Sequence, residues 1–145
     1  MKARFRKAQD WLNRNFKLHC KYEAELRTLR KLENQLGAGV AKYESDGTEN
    51  HDADMARHRH EDALLSFSEQ RARVEALERI LTAGMNATRT EIEKLEDLEL
   101  QAVAIDRFIN CMKWEEIARA KHVSKAQVYR LNEKMLEKMA DILNI

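Results

Sequence analysis

Near its C-terminal end the chain gathers Ser124, Lys125, Ala126, Gln127, Tyr129, Arg130 and Lys134 around the start of one helical stretch, all but Ala126 with hydrogen-bonding side chains. An arginine fork engages two acceptors at once, a glutamine amide both donates and accepts, and lysine brings a mobile positive charge. Those capacities match the base-pair edges of a major groove and the phosphates beside it. Lys125 and Gln127 open the helix, Arg130 follows about one and a half turns in, and Tyr129 suits a thymine methyl or a phosphate.

Side chains of this kind need a rigid element to hold them out. Trp114, Ile117 and Ala118 recur at steps of three and one, the face of a short helix over Trp114 to Ala120. Glu115 and Glu116 occupy its first turn, where the helix dipole favours negative charge. Lys121-His122-Val123 then leads to Ser124, a favoured N-cap residue. Val128, Leu131, Met135, Leu136 and Met139 continue a helical stripe to about Leu143. A short helix, a tight turn and a capped second helix read as a helix-turn-helix. Its expected core is Phe108, Trp114, Ile117, Ala118, Val123, Val128 and Leu131.

Other chemistry finds less support. His51, Asp52, Asp54, His58, His60, Glu61 and Asp62 cluster in sequence, with His58 a turn away from Glu61 and Asp62. The reading favoured is a solvated helix start, since no second ligand pair accompanies them and no metal is expected. Cys20 and Cys111 have no zinc-type spacing and read as reduced thiols. His19 and Cys20 are adjacent, so on a helix they point about 100° apart and make a poor base–nucleophile pair. There is no glycine-rich phosphate loop, nucleophile elbow or triad. No catalytic residue, enzyme activity or cofactor is expected.

The chain has 145 residues, no proline, four glycines, 35% charged residues and 6% aromatic residues, a profile of long helices. The net charge of +1 conceals an asymmetry. Residues 1–36 carry ten Lys/Arg against four Asp/Glu, and residues 44–101 carry seven against fifteen. The basic set Lys2, Arg4, Arg6, Lys7, Arg14, Lys17 and Lys21 could contact phosphate, but the favoured reading is a solvated face pairing with the acidic second helix.

Residues 2–36 read as one helix, with a seam through Phe5, Ala8, Leu12, His19, Tyr22, Leu26, Leu29 and Leu36, widened by Phe16, Leu18 and Leu32. Such a helix runs on the order of 50 Å and must pack against another long one. Gly37 to Asp52 reads as a flexible loop, with Val40 and Tyr43 near the helices. Ala53 to about Lys94 is the partner, its seam Leu64, Phe67, Val74, Leu77, Leu81, Thr88 and Leu95 flanked by Ile80 and Ile92. Gly84 marks either a kink or a close helix contact. Glu96 to Met112 reads as a shorter helix across the motif.

The segment Leu95–Met139 resembles region 4 of bacterial sigma factors through Trp114-Glu115-Glu116-Ile117-Ala118, Val123-Ser124, Val128, Lys134, Leu136 and Met139. More closely, Arg107-Phe108-Ile109, Trp114-Glu115-Glu116-Ile117-Ala118 and Gln127-Val128-Tyr129-Arg130-Leu131 are similar to the sigma-region-4-like regulators of Gram-positive phages and prophages (the RinA and ArpU type). The family usually has glycine where this chain has His122 in the turn and Cys111 before the motif. Ala126 stands where region 4 has a glutamate that reads the −35 element, so that specificity is not carried over. Nothing resembles the promoter-melting sigma region 2. The resemblance implies a DNA-binding regulator, an activator of late or packaging genes able to touch RNA polymerase.

The expected architecture is all-α: an antiparallel coiled-coil hairpin over 1–95, with its loop at 37–52, then a helix-turn-helix domain over 96–145. The expected partners are double-stranded DNA, RNA polymerase and a second copy of the chain, as a homodimer or higher homo-oligomer. The expected place is the cytoplasm of a bacterial host, without a membrane span. Two rival readings are a small terminase-like packaging subunit and an inhibitor that binds a partner through the long helices.

Overall fold

With no proline and four glycines, few positions can stop a helix, and the stops that occur are made by particular residues. The computed structural model describes residues 2–45 and 51–145, and the side chains of 2–37 and 53–145. Among the described residues the chain is all-helical, with no strand. The order is α1 (Ala3–Leu12), α2 (Phe16–Ser45), α3 (His51–Ile92), α4 (Leu98–Ala104), a π-helical turn (Ile105–Ile109), α5 (Trp114–Lys121) and α6 (Lys125–Ile142).

The single helix expected over 2–36 is two helices. Asn13 ends α1 by donating its N–H to Gln9 O at 2.9 Å, and Arg14 N–H bonds Trp11 O at 3.2 Å. The Arg14 guanidinium folds back 3.7 Å above the Trp11 ring. Asn15 Nδ2 donates to Thr88 Oγ1 at 3.2 Å. A Cβ built on Gly84 would lie 2.5 Å from Asn15 Oδ1. Gly84 therefore serves a close contact, and its absent side chain is what lets Asn15 reach Thr88.

The loop expected over 37–52 is mostly helix. α2 continues through Gly37 to Ser45, and α3 begins at His51. Two glycines inside a helix cost roughly 1 kcal/mol each, a cost α2 bears at Gly37 and Gly39. The expected contacts of Val40 and Tyr43 and the side chains of His51 and Asp52 lie outside the described residues.

Two compact units form, Met1–Lys17 with Thr82–Ile145, and Leu18–Leu81. This differs from the expected division at 95/96, because α1 packs on α6. The buried Ala8 and Leu12 of α1 join Ile92, Leu95, Leu100, Ala104, Phe108, Met135, Leu136, Met139 and Ala140 in one core, with Phe5 and Trp11 against it. Phe5 is thus partly buried against this core. Arg4 Nη2 donates to Asp141 Oδ1 at 2.6 Å and Arg4 Nε to Ile145 O at 3.0 Å. This basic residue therefore pairs with α6, where the acidic second helix was the expected partner.

In the unit Leu18–Leu81, Val74 and Leu81 are buried and Gln70 is buried with them. Gln70 Nε2 donates to Glu25 O at 2.9 Å and Glu25 Oε2 at 2.6 Å. His19, Tyr22, Leu26, Leu29 and Leu36 are half-buried, whereas Leu64, Leu65 and Ile80 are exposed. Among the described residues, no helix is long and apolar enough to cross a membrane.

Candidate nucleic-acid interface

The chain reaches the candidate residues through three changes of direction, each with its own cap. Asp97 opens α4, its carboxylate accepting from Glu99 N at 2.9 Å and Leu100 N at 3.4 Å. The helix expected to run to Met112 loosens at Ile105. Asn110 N–H bonds Ile105 O at 2.9 Å, a five-residue closure, and Met112 N–H bonds Asp106 O at 2.9 Å. The wider π turn leaves Phe108 in the core and Arg107 half-exposed at the chain reversal. Cys111 then adopts φ 56°, a left-handed conformation that favours glycine.

α5 follows, with Glu115 and Glu116 in its first turn. Ile117 and Ala118 are buried against Val128 of α6, with Met112, Trp114 and Val123 packed around them. The α5–α6 turn is a Schellman cap. His122 sits at φ 57°, ψ 40°, His122 N–H bonds Arg119 O at 3.2 Å, and Val123 N–H bonds Ala118 O at 3.1 Å. Both positions named above as glycines of the resembled family, 111 and 122, are therefore left-handed here and filled by side chains. Ser124 caps α6, its Oγ accepting from Gln127 N at 3.1 Å.

Ser124, Lys125, Ala126, Gln127, Tyr129, Arg130 and Lys134 are all exposed. They are not equally available. Lys125 Nζ donates to Glu115 Oε1 at 2.7 Å and lies 5.8 Å from the Tyr129 ring. The hydrogen bond holds the Glu115 carboxyl below the usual carboxylate range and raises the Lys125 ammonium above its ordinary value. Tyr129 meets Trp114 edge-on at 5.6 Å, and the Arg107 guanidinium lies 4.6 Å from the Trp114 ring while donating to Met112 O at 2.9 Å. A strip of two rings between two cations thus runs Arg107, Trp114, Tyr129, Lys125 and ends at Glu115. Sequence reasoning found its members singly. The pairing across ten residues at Glu115–Lys125 has no helical periodicity and appears only once the turn is built.

Ala126, Gln127 and Arg130 form the open part of the first turns of α6. Lys134 stands elsewhere, lining a cleft of about 530 Å³ with Lys94, Asp97 and Leu100 among others. Of the expected helix-turn-helix core, Ile117, Ala118 and Val128 form one buried cluster with Trp114 and Val123 against it. Phe108 and Leu131 belong to the larger core. The histidine-rich acidic start of α3 shows ordinary helix-surface pairs, with His58 Nδ1 3.8 Å from Glu61 Oε2 and Arg57 Nη1 3.9 Å from Asp54 Oδ1.

No protein-family model, curated protein or solved structure matches the chain.

Proposed function

We propose that the protein is a DNA-binding transcriptional regulator of phage or prophage type, in which α5 and α6 form a helix-turn-helix and α6 enters the major groove. The observation that carries this reading is the first two turns of α6. Ala126, Gln127 and Arg130 are exposed there, while Val128 on the opposite side is fully buried against α5. Gln127 and Arg130 read base edges, and Ala126 admits close approach or a thymine methyl. Ser124 and the helix N-terminus face the flanking phosphate. Arg119 and Lys113, both exposed, add cations on α5 and before it.

The resemblance to sigma region 4 adds that the protein activates late or packaging genes and touches RNA polymerase in the cytoplasm of its bacterial host. The long helices would pair as an antiparallel coiled coil and associate two copies. The exposed Leu64, Leu65 and Ile80 support that association, since a second copy would take them out of water. Two copies would present two α6 helices to two half-sites.

The test is selection of bound fragments from the source genome, followed by titration of the selected duplex. Arg130→Ala is expected to weaken binding by about 1–3 kcal/mol and to relax preference at one base pair. Absence of salt-dependent binding by the wild-type protein would overturn the reading. A ring of many subunits in native mass measurement would favour a packaging subunit, and a dimer favours the regulator.

A further inference from the structure

We infer that the elbow between α1 and α2 is a second contact for the DNA backbone. Lys17 and Arg107 take one phosphate, and the Phe16 ring packs on the adjoining deoxyribose. This rests on the reading of α6 as the groove-entering helix.

Asn13, Phe16, Lys17, Arg107 and Cys111 line a cleft of about 250 Å³. Two of these residues are cations and none is a carboxylate, in a chain whose acidic and basic residues are nearly equal in number. The lining comes from two places far apart in sequence, brought together because α1 and the π turn share one core. Phe16 is 54% exposed at the rim. A lone exposed phenylalanine is unremarkable, but one that shares a cleft with two cations offers the apolar wall that a sugar needs beside its phosphate.

Arg107 is oriented before any ligand arrives. Its Nη1 is committed to Met112 O at 2.9 Å, and its guanidinium carbon lies 4.6 Å from the Trp114 ring centroid. The remaining N–H donors are held in a fixed fork, so little side-chain freedom is lost on meeting an acceptor. Lys17, exposed at the start of α2, adds a flexible second charge.

Position selects the ligand. Arg107 belongs both to this cleft and to the strip that passes through Trp114 and Tyr129 to Lys125, the first residue of α6. A backbone strand lying along that strip meets the α6 N-terminus at one end and the elbow at the other. The contact would position the protein on the duplex without reading sequence.

Fluorescence anisotropy of the full chain, with a random-sequence duplex of about three helical turns over a salt series, tests this. Lys17→Gln is expected to weaken binding uniformly across sequences and to reduce the slope of log K against log salt by about one. Phe16→Ala is expected to weaken binding with the slope unchanged. Both side chains are exposed, so thermal unfolding should match the wild type. Lys31→Gln, an exposed lysine of the other unit, is expected to leave the slope unaltered.

If Lys17→Gln and Phe16→Ala bind the random duplex as the wild type does while Arg130→Ala is weakened on the duplex selected from the source genome, the elbow contact is overturned and the α6 reading stands. An equal slope change in Lys31→Gln also overturns it, because the contribution is then diffuse charge. If the wild-type chain binds no duplex at any salt, the α6 reading itself falls, and the elbow contact with it.

Discussion

Two hydrophobic clusters hold the unit that carries α6, and they are built differently. The larger draws on α1, the end of α3, α4, the π turn and the second half of α6. The smaller has three buried side chains, Ile117, Ala118 and Val128. α6 belongs to both, through Val128 at one end and Met135, Leu136, Met139 and Ala140 at the other. α5, of eight residues, is too short to persist alone. It depends on the small cluster and the Schellman turn. The comparison separates two tasks. The large core fixes the direction of α6, and the small one fixes how α5 braces its exposed end. Elements that meet ligands are commonly drawn from the less stable parts of a fold.

The largest expected effect lies in the large core. Leu136 is fully buried, and Leu136→Ala should cost about 2–5 kcal/mol through lost burial and the cavity left behind. The urea midpoint by circular dichroism should fall accordingly, with hydrogen exchange accelerated in α1, α4 and α6 together. Ile117 is equally buried, so Ile117→Ala removes a similar apolar volume, yet its effect should be local. Amides of α5 are expected to exchange faster while those of α4 and the second half of α6 keep most of their protection. Identical exchange patterns in the two variants would show one cooperative unit and dissolve the comparison.

Next in size are the left-handed caps. A side chain in this region costs roughly 1–2 kcal/mol, which glycine avoids in part while adding chain entropy to the unfolded state. His122→Gly is expected to stabilise the protein by about 1 kcal/mol. Cys111→Gly, at the edge of the larger core, should do the same. A fall in the unfolding midpoint of His122→Gly would mean that the imidazole makes a compensating contact, and would make the turn a stronger part of the small cluster than its three buried residues imply.

Much of this arrangement was legible in the residues, and the misses have physical causes. The stripe Trp114, Ile117, Ala118 and the cap at Ser124 located α5 and α6 within a residue or so of their ends. Of the expected seam, Val74, Leu81, Thr88 and Leu95 are buried, whereas Leu64 is exposed, Phe67 and Leu77 are half-buried, and Leu95 belongs to the larger core with α1, α4 and α6. The break at Asn13 was invisible to periodicity, since Phe5, Ala8 and Leu12 lie on one stripe whether or not the helix continues. What fixes the elbow after it is a long-range partner, Thr88, which Asn15 reaches past the missing side chain of Gly84. Docking of α1 on α6 was hidden for the same reason, because Arg4 and Asp141 are 137 residues apart. The π turn has no residue pattern of its own, and Gln70 reads as surface until Glu25 is placed beside it. At the candidate interface, side-chain identities could be read in advance, but the engagement of Lys125 by Glu115 could not.

That engagement gives the smallest expected change in stability and a sharp change in binding. Glu115 and Lys125 are exposed, so the pair adds little to folding. A lowered carboxyl contributes above the ordinary carboxylate range and loses that contribution as pH falls through its own value. A raised ammonium contributes below the ordinary lysine range and loses its share as pH rises through its own value. Because Glu115 is lowered and Lys125 raised, the pair is intact across neutral pH and acts as a constant restraint there. Glu115→Gln should leave the urea midpoint unchanged, and nuclear magnetic resonance should show the Lys125 ammonium titrating closer to its ordinary value. Freed from its partner, Lys125 can reach a phosphate, so the salt slope for duplex binding should steepen by about one. An unchanged slope would mean that Lys125 stays on the Tyr129 ring without the carboxylate. The open part of α6 would then stay Ala126, Gln127 and Arg130 even without the carboxylate, and the small cluster would brace a narrower free surface than its exposed residues suggest.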